Sequence, residues 1–236
     1  KSMKRVSEIQ IGDANVAILG DPHAGRSFVR GVSLNKRGLR ERSLMDDFKA
    51  DLARAKNFDA HICVGDLFDR WAVPYNVVFD VAQAYTQAAD ASRDTLFYIM
   101  SGNHDISRDL EKRGAFDIFE MIVESYPNIQ VVRQPYFCES GGVKVGFLPY
   151  HPTTPAAELV TEPVEVCFGH WDTIFGDHNL VPAQRLAEVG CHTVYTGHVH
   201  KPDEFTRDGV HVVQVGSLQP LAHGEESDDS LYITLT

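Results

Sequence analysis

Five short apolar runs in this chain of 236 residues each end in a glycine that is followed by a residue able to bind a metal ion. The five junctions are Gly20-Asp21, Gly65-Asp66, Gly102-Asn103, Gly169-His170 and Gly197-His198. The runs before them are rich in β-branched and aromatic residues, which is typical of buried strands that stop at a turn. Five strand ends carrying Asp, Asn or His predict an α/β protein in which these side chains meet at one place.

Two of the junctions offer a second ligand two residues further on. His23 follows Asp21 and His200 follows His198, and residues i and i+2 of an extended segment point the same way. Carboxylate and amide oxygens with imidazole nitrogens suit Mn²⁺, Fe²⁺ or Zn²⁺ better than Ca²⁺ or an iron–sulfur cluster. Seven candidate ligands are too many for one tetrahedral ion and fit two ions that share a bridge, for which the Asp66 carboxylate is the natural choice.

The expected chemistry is hydrolysis at phosphorus. Two ions about 3.5–4 Å apart lower the pKa of a water and clamp phosphoryl oxygens for in-line attack. The leaving alkoxide needs a proton or a positive group, and His104, next to Asn103, is the best candidate. Asp105 is predicted to hold the His104 ring and favour its charged form. Asp69 either orients the site, contacts substrate or forms a turn, whereas His61 inside a strand is interpreted as a core histidine.

The order of predicted elements indicates the fold. The first half alternates strands near 15–19, 60–64 and 95–100 with helices near 40–56, 75–90 and 113–125. This alternation predicts parallel βαβ units. In the second half, strands are expected near 129–132, 143–148, 164–168, 192–196, 211–215 and 230–235, and short helices near 155–160 and 182–189. The prediction is a single α/β domain over residues 1–236, with two mixed β-sheets packed as a sandwich and helices on both outer faces, a four-layer αββα fold.

Composition narrows the classes of function. The net charge of −11 argues against a nucleic-acid footprint over the whole surface. One stretch, residues 26–42, is nevertheless basic and holds a single acid, Glu41; its cations are Arg26, Arg30, Lys36, Arg37, Arg40 and Arg42. It is either a solvated loop and helix start or a phosphate-contacting patch. The chain shows no membrane-span run, no secretory signal and no CxxC pair, so we expect a cytoplasmic protein with free thiols.

Taken in order, the motifs resemble those of the calcineurin-like metallophosphoesterases. The matching segments are Asp21-Pro22-His23, Gly65-Asp66-Leu67-Phe68-Asp69-Arg70, Gly102-Asn103-His104-Asp105, Gly169-His170 and Gly197-His198-Val199-His200. The resemblance runs from about residue 15 to the C-terminus. It implies one ion held by Asp21, His23, Asp66 and His200, and a second held by Asp66, Asn103, His170 and His198. It also implies that His104 is the proton donor or transition-state stabiliser.

Three further segments resemble the SbcD nuclease branch, the bacterial and phage relatives of the meiotic-recombination-eleven protein. They are residues 23–28, 167–171 and 216–221. Trp71 after Arg70, and Asp105, depart from the usual phosphoprotein phosphatase pattern and weaken that alternative. The resemblance implies a DNA nuclease with two divalent ions, with Mn²⁺ favoured and Mg²⁺, Fe²⁺ and Zn²⁺ as alternatives. Arg26, Asp69 and Arg70 are the predicted substrate contacts.

The resemblance also implies partners. These are DNA, an SbcC-type coiled-coil ATPase and a second copy of the chain, docked through the helices near 75–90 and 113–125. The apolar faces of those helices are interpreted as either core or dimer interface; they carry Val77, Val81, Phe116 and Phe119. Relatives usually continue into a DNA-capping domain and an ATPase-binding tail, which we expect to be absent from a chain that stops at Thr236.

Two rival functions stay open. One is a phosphatase or small-molecule phosphodiesterase on the same scaffold, and the other is a protein that uses the fold only for binding. A complete set of seven metal ligands argues against the second, because a site that no longer binds metal has no physical reason to keep them.

Overall fold

A computed structural model describes residues 5–107, 109 and 111–221 of the chain. Its first sheet has five strands. From edge to edge these are β1 (Glu8–Ile11), β2 (Ala14–Leu19), β3 (Ala60–Cys63), β4 (Leu96–Met100) and β5 (Ile129–Val132). β1 runs antiparallel to β2, and all other neighbours are parallel. The parallel strands β2, β3 and β4 therefore all end at the same edge of the sheet.

The second sheet has six strands, which in chain order are β6 (Tyr136–Ser140), β7 (Val143–Leu148), β8 (Val166–His170), β9 (Thr193–Gly197), β10 (Asp203–Arg207) and β11 (Val210–Gln214). Their spatial order is β10-β11-β9-β8-β7-β6. The four inner strands are parallel and the two edge strands are antiparallel to their neighbours. Five helices connect the strands: α1 (Leu39–Ala53), α2 (Tyr75–Ala91), α3 (Ala115–Val123), α4 (Ala156–Leu159) and α5 (Ala183–Glu188).

Three apolar clusters hold the layers together. The first joins α1, α2 and α3 to the outer face of the first sheet, as in the contact of Tyr85 with Phe97 and Phe119. The second lies between the sheets, where Ile18 and Phe168 belong to the same buried cluster. The third covers the outer face of the second sheet with Leu186 of α5 and other residues. The predicted α/β sandwich with two mixed sheets and outer helices is therefore confirmed.

The predicted strands and helices within the described residues are also confirmed, with ends that shift by a few residues. Three strands were not predicted: β1, β6 and β10. All three are edge or hairpin strands, and β10 reads Asp-Glu-Phe-Thr-Arg, so none forms the apolar run that marks a buried strand. The strand predicted near 230–235 lies outside the described residues.

The apolar faces of α2 and α3 belong to the core. Val81, Phe116 and Phe119 are fully buried, and Val77 packs against the same cluster. Their interpretation as core is correct, because the two helices turn these faces towards each other and the first sheet. A dimer through α2 and α3 stays a prediction and would use other faces of the two helices. Within the described ranges, no helix has the length and apolarity that crossing a bilayer requires. The four cysteines are free thiols.

A buried ion cluster joins α1 to β3. The Asp51 carboxylate lies 2.8 Å from His61 Nε2 and accepts a hydrogen bond from Arg54 at 3.2 Å. His61 is therefore a hydrogen-bonded core histidine, as interpreted from the sequence. Burial alone would raise the pKa of Asp51, but the hydrogen bond from His61 and the charges of His61 and Arg54 outweigh it and hold the pKa below its usual range.

Replacing Asp51 with asparagine is expected to lower the free energy of unfolding by about 3 kcal/mol, because the Arg54 charge stays buried without its counter-ion. The pKa of Asp51 is lower in the folded protein than in the unfolded chain, where it is about 3.9. The contribution of Asp51 to the free energy of unfolding is therefore complete above about pH 3.9, and it is lost as the pH falls through the pKa of the folded state. Urea denaturation at pH 7 measures the first effect, and the same measurement at a pH well below about 3.9 measures the second. Asp46→Asn on the exposed side of α1 is the control, and its free energy of unfolding should change by no more than about 0.5 kcal/mol. An equal loss of stability in both variants would contradict the prediction.

Candidate metal centre

The five Gly-ligand junctions meet at one end of the sandwich. They follow the carboxyl ends of β2, β3 and β4 in the first sheet, and of β8 and β9 in the second. Two groups of side chains there could each hold a metal ion, with ligand atoms within 4.8 Å of one another: Asp21, His23 and His200 in one group, and Asp66, His170 and His198 in the other. The ligands implied for two ions thus form two adjacent clusters.

Asp66 and Asn103 connect these clusters. Asp66 Oδ2 lies 3.7 Å from His23 Nε2 in one group and 3.2 Å from His170 Nε2 in the other. Asn103 Oδ1 lies 2.9 Å from His170 Nε2 and 3.0 Å from His198 Nδ1. The position of Asp66 is that of a carboxylate shared between two ions, and Asn103 faces the second group.

The buried polar atoms fit a pair of divalent ions. Asp21 Oδ1 and His23 Nε2 are buried, and neither has a hydrogen-bond partner within the described part of the chain. A buried carboxylate oxygen and imidazole nitrogen without partners are costly, and binding a cation would offset that cost. The mixed oxygen and nitrogen set suits Mn²⁺, Fe²⁺ or Zn²⁺. The residues present therefore match the dimetal site that the motifs predict.

The junction glycines leave space for ligands from other motifs. A Cβ on Gly65 would overlap the His170 imidazole, and a Cβ on Gly102 would overlap the Asp66 carboxylate. A Cβ on Gly197 would overlap the Asp21 carboxylate. These three glycines therefore permit the close approach of a ligand from a distant part of the chain, whereas Gly20 makes room for the Gly216 carbonyl oxygen and Gly169 for the Trp171 ring.

Three ligands lie in the left-handed backbone region. The φ angles are 50° for His23, 50° for Asp66 and 82° for His198. Non-glycine residues rarely adopt this conformation, which costs of order 1–3 kcal/mol each and occurs mainly at functional sites. The surrounding fold holds these residues in a geometry selected for the position of their side chains.

Two imidazoles are oriented by a partner at their second ring nitrogen, and a third lies beside a carboxylate. His170 Nδ1 lies 2.8 Å from the Val64 carbonyl oxygen, and His198 Nε2 lies 2.8 Å from Asp172 Oδ1. His23 Nδ1 lies 3.3 Å from Asp69 Oδ1. Such outer partners fix the ring orientation of metal-binding histidines. Asp172 was missed in the sequence, although its place two residues after His170 was an available signal.

His104 lies beside the first cluster, with its ring 5.2 Å from that of His23. Its Nδ1 is 2.5 Å from the Asp69 carbonyl oxygen, and its backbone N–H donates to Asp66 Oδ1 at 2.8 Å. Because a carbonyl only accepts, Nδ1 carries a hydrogen, and Nε2 is the nitrogen available to a substrate. His104 is therefore adjacent to the first cluster, and its role as proton donor stays a prediction.

The predicted role of Asp105 is wrong. Its buried carboxylate does not hold the His104 ring; it accepts the backbone N–H groups of Leu67, Phe68 and Gly102 at 3.3, 3.1 and 2.8 Å. The Asp69 carbonyl oxygen takes the orienting position instead. Asp105 therefore joins the second motif loop to the third and acts on the site only by positioning it.

The three predicted substrate contacts have different surroundings. Arg26 lies 3.3 Å from Asp69 Oδ1 and donates to the Leu221 carbonyl oxygen at 3.1 Å. The Asp69 carboxylate is buried between His23 and Arg26, which favours the orienting role. The Arg70 side chain is 66% exposed and 3.8 Å from Asp69 Oδ2. Contact of Arg70 with substrate stays a prediction.

The charges buried in the two ligand groups shift the pKa values of several of their side chains. Burial lowers the pKa of His170, but the Asp66 and Asp21 carboxylates outweigh it and raise the pKa to about 10. Burial raises the pKa of Asp21 to about 6 against the effect of His170. Burial favours neutral Asp66, yet the charges of His170 and His23 hold its pKa well below the usual range. A metal ion must therefore displace at least one proton.

Metal affinity is expected to rise with pH. His170 is protonated below its raised pKa, so Mn²⁺ binding at pH 7 releases a proton, and the dissociation constant falls by about tenfold per pH unit for each proton displaced. Titrations of metal-stripped protein between pH 6.5 and 8.5, in buffers of different ionisation enthalpy, measure affinity and proton release together. A dissociation constant that is unchanged over this interval would contradict the prediction.

Comparison with known proteins identifies the family. No curated protein sequence matches the chain. Among solved structures, it is similar to the crystal structure of the phosphopantetheinyl hydrolase PptH from Mycobacterium tuberculosis, with 13% identity, a TM-score of 0.46, and coverage of 86% of this chain and 89% of that one. The profile of the calcineurin-like phosphoesterases matches residues 14–202, which include all seven predicted ligands. The chain therefore belongs to the calcineurin-like phosphoesterase family.

Proposed function

We propose that this chain is a DNA nuclease of the SbcD type that hydrolyses phosphodiester bonds with two divalent metal ions, with Mn²⁺ favoured. Membership of the family implies metal-dependent phosphoester hydrolysis. The finer assignment rests on the three segments whose sequences resemble the SbcD branch. Its support in the structure is the position of those segments around the metal centre.

The segment 216–221 connects the first and last ligand motifs. Ser217 N–H donates to the His200 carbonyl oxygen at 2.9 Å, and Leu218 N–H donates to the Asp21 carbonyl oxygen at 3.1 Å. In the segment 167–171, the Trp171 ring fills the space above Gly169 that a Cβ would occupy. The SbcD-like sequence features therefore surround the ligands themselves, and this observation carries the proposal.

The residues of the site would have two tasks, which are to hold the metal ions and to transfer a proton. Two divalent ions, when bound, would lower the pKa of a water and stabilise the charge that develops on the phosphoryl oxygens. Asp66 and the other members of the two ligand groups would hold those ions in one pre-formed site. His104, held through Nδ1 by the Asp69 carbonyl oxygen, would act in its doubly protonated imidazolium form, giving the proton on Nε2 to the leaving oxygen of the cleaved nucleotide bond and keeping the proton on Nδ1.

The proposal is tested on 5′- and 3′-labelled single- and double-stranded DNA with Mn²⁺, with EDTA as the metal-free control. We expect metal-dependent cleavage of single-stranded or end-exposed DNA. Cleavage of para-nitrophenyl phosphate esters without any cleavage of DNA would contradict it in favour of the phosphatase or small-molecule alternative. No metal binding in Mn²⁺-supplemented protein would favour a protein that uses the fold only for binding.

The partners belong to the same proposal. We propose that the chain works with an SbcC-type ATPase and forms a homodimer through the outer faces of α2 and α3. These faces expose Tyr75, Phe79 and Met121, at 83%, 61% and 71%. Exposed apolar side chains on two adjacent helices are typical of a protein contact. Sedimentation over a range of concentrations is expected to show a dimer, and a concentration-independent monomer would contradict it.

A further inference from the structure

The loop between β2 and α1 is unusually basic for this acidic protein. Residues 22–40 contain five cations and no Asp or Glu, in a chain whose net charge is −11; the cations are Arg26, Arg30, Lys36, Arg37 and Arg40. The loop leaves the end of β2 directly after the ligands Asp21 and His23, so it starts at the metal centre. We call residues 29–38 the basic loop.

Two of the five cations are occupied by the protein itself. Arg26 donates to the Leu221 carbonyl oxygen and lies 3.3 Å from Asp69 Oδ1. Arg40 donates to the Pro220 carbonyl oxygen at 2.6 Å, and its guanidinium stacks 4.1 Å over the Phe28 ring. These two residues fasten both ends of the basic loop to the segment 216–221. Arg26 and Arg40 therefore stabilise the fold, and they fix the two ends of the basic loop beside the metal centre.

The other three cations are exposed. Arg30, Lys36 and Arg37 lie on the basic loop, and their side chains form no hydrogen bond or ion pair within residues 5–107, 109 and 111–221. Unpaired neighbouring cations repel one another, and an external anion would remove that repulsion. Of the five cations in residues 22–40, two are thus bound within the fold and three face solvent.

The basic loop is exposed at several positions along its length. Gly31 and Gly38 bracket it with φ angles of 73° and 84°, and no heavy atom lies within 4 Å of the place where a Cβ would sit on either. The Leu34 side chain at its tip is 80% exposed. The loop therefore has room to lie along an extended ligand, with Leu34 available to pack on a sugar or base.

We infer that Arg30, Lys36 and Arg37 bind the phosphate backbone of a nucleic-acid strand whose scissile bond lies in the metal centre. This inference rests on the proposed nuclease function and gives that site its preference for a polymer. The three cations lie outside the ligand clusters, so they contact phosphates other than the one being cleaved. Such contacts position a strand and raise its affinity without taking part in the reaction.

The test is the triple variant Arg30→Gln, Lys36→Gln and Arg37→Gln. On a single-stranded oligomer with Mn²⁺, we expect KM to rise about tenfold or more while kcat stays within about twofold. In EDTA, the anisotropy of a labelled oligomer should report weaker binding, with a salt slope reduced by about 2, since each single-strand phosphate contact contributes about 0.7. The kcat/KM for bis(para-nitrophenyl) phosphate should not change, because this small diester cannot reach the loop.

The matched control removes three cations from elsewhere on the surface. Lys49, Lys56 and Lys144 are exposed, and the last two lie near the amino ends of β3 and β7, opposite the metal centre. Replacing all three with glutamine makes the same change in net charge. We expect this variant to keep the KM and the salt slope of the wild type, so an equal loss in both triple variants would overturn the inference in favour of a general charge effect.

The outcomes separate this inference from the proposed function. If the wild type cleaves no DNA, the nuclease function fails and this inference fails with it. If the wild type cleaves DNA and the basic-loop variant keeps its KM and salt slope, the inference fails while the nuclease function stands. If the variant loses binding to phosphatidylglycerol vesicles and keeps its affinity for the oligomer, the loop is a membrane contact and the inference is overturned.

Discussion

Replacing His104 with alanine is expected to lower kcat for phosphodiester cleavage by about 10²–10⁴, the usual contribution of a positioned general acid. His104 Nδ1 is fixed by the Asp69 carbonyl oxygen, so the ring presents Nε2 to the leaving oxygen. Without the ring, the leaving alkoxide departs unprotonated. Single-turnover cleavage of a labelled oligomer with saturating Mn²⁺ measures the loss, because it isolates the chemical step from product release.

Metal binding distinguishes this role from a structural one. His104 contributes its backbone N–H to Asp66, and alanine keeps that group, so the variant should bind Mn²⁺ with unchanged affinity. His211→Ala on β11 is the control, since this half-exposed histidine pairs with Glu204 away from the ligands and should leave kcat unchanged. Full activity of the His104 variant would exclude it as the proton donor.

Replacing Gly102 with alanine is expected to weaken Mn²⁺ binding by about 10–100-fold, with a comparable loss of cleavage rate at limiting metal. The added methyl group would overlap the Asp66 carboxylate and backbone nitrogen and approach the His170 ring. Two motif loops would have to separate, and the shared carboxylate would leave the position between the two ligand groups. Titration of metal-stripped protein measures the affinity.

The control for this variant is Gly209→Ala in the turn between β10 and β11. No heavy atom lies within 4 Å of its Cβ position, so only a backbone cost of about 1 kcal/mol is expected from its positive φ. Its Mn²⁺ affinity should equal that of the wild type. Tight metal binding by the Gly102 variant would show that the overlap is relieved without moving Asp66.

The metal centre could be predicted from the sequence because each metal-binding residue directly follows the end of a predicted strand. Apolar runs before Gly20, Gly65 and Gly102 mark parallel strands, and the carboxyl ends of parallel strands lie at one edge. The structure shows a second reason for these junctions, which the pattern alone does not contain. Gly65, Gly102 and Gly197 each leave room for a ligand from a motif more than 30 residues away, a contact that depends on how the motif loops pack together.

Hydrogen bonding within the motif loops could not be predicted. Asp105 follows His104 directly, yet its carboxylate turns to backbone donors in two loops while Asp69 orients His104 through its carbonyl oxygen. Residue type gives the chemistry that a side chain can perform, whereas the path of the loop decides which neighbour it meets. The same argument applies to Asp172, whose partner His198 arrives from the next strand of the sheet.

The sequence alone also could not show which cations of the basic stretch, residues 26–42, are available to a substrate. Counting charge gives six equivalent cations over residues 26–42, either a solvated surface or a phosphate-binding patch. The structure divides them, because Arg26 and Arg40 bind carbonyl oxygens of the segment 216–221, whereas the other four are exposed: Arg30, Lys36 and Arg37 on the basic loop, and Arg42 on α1. Arg26, the predicted substrate contact, serves the fold, and its neighbours on the basic loop are better placed for that role.

Five loops bring together the ligands for two divalent ions, and we expect the two ions to share Asp66. Calorimetric titration of metal-stripped protein with Mn²⁺ tests it most directly, in the wild type and in Asp66→Ala. We predict two ions per chain in the wild type and a loss of affinity at both positions in the variant, because Asp66 lies 3.7 Å from a ligand of one group and 3.2 Å from a ligand of the other. One ion per wild-type chain, or a variant that loses only one of two ions, would contradict the account.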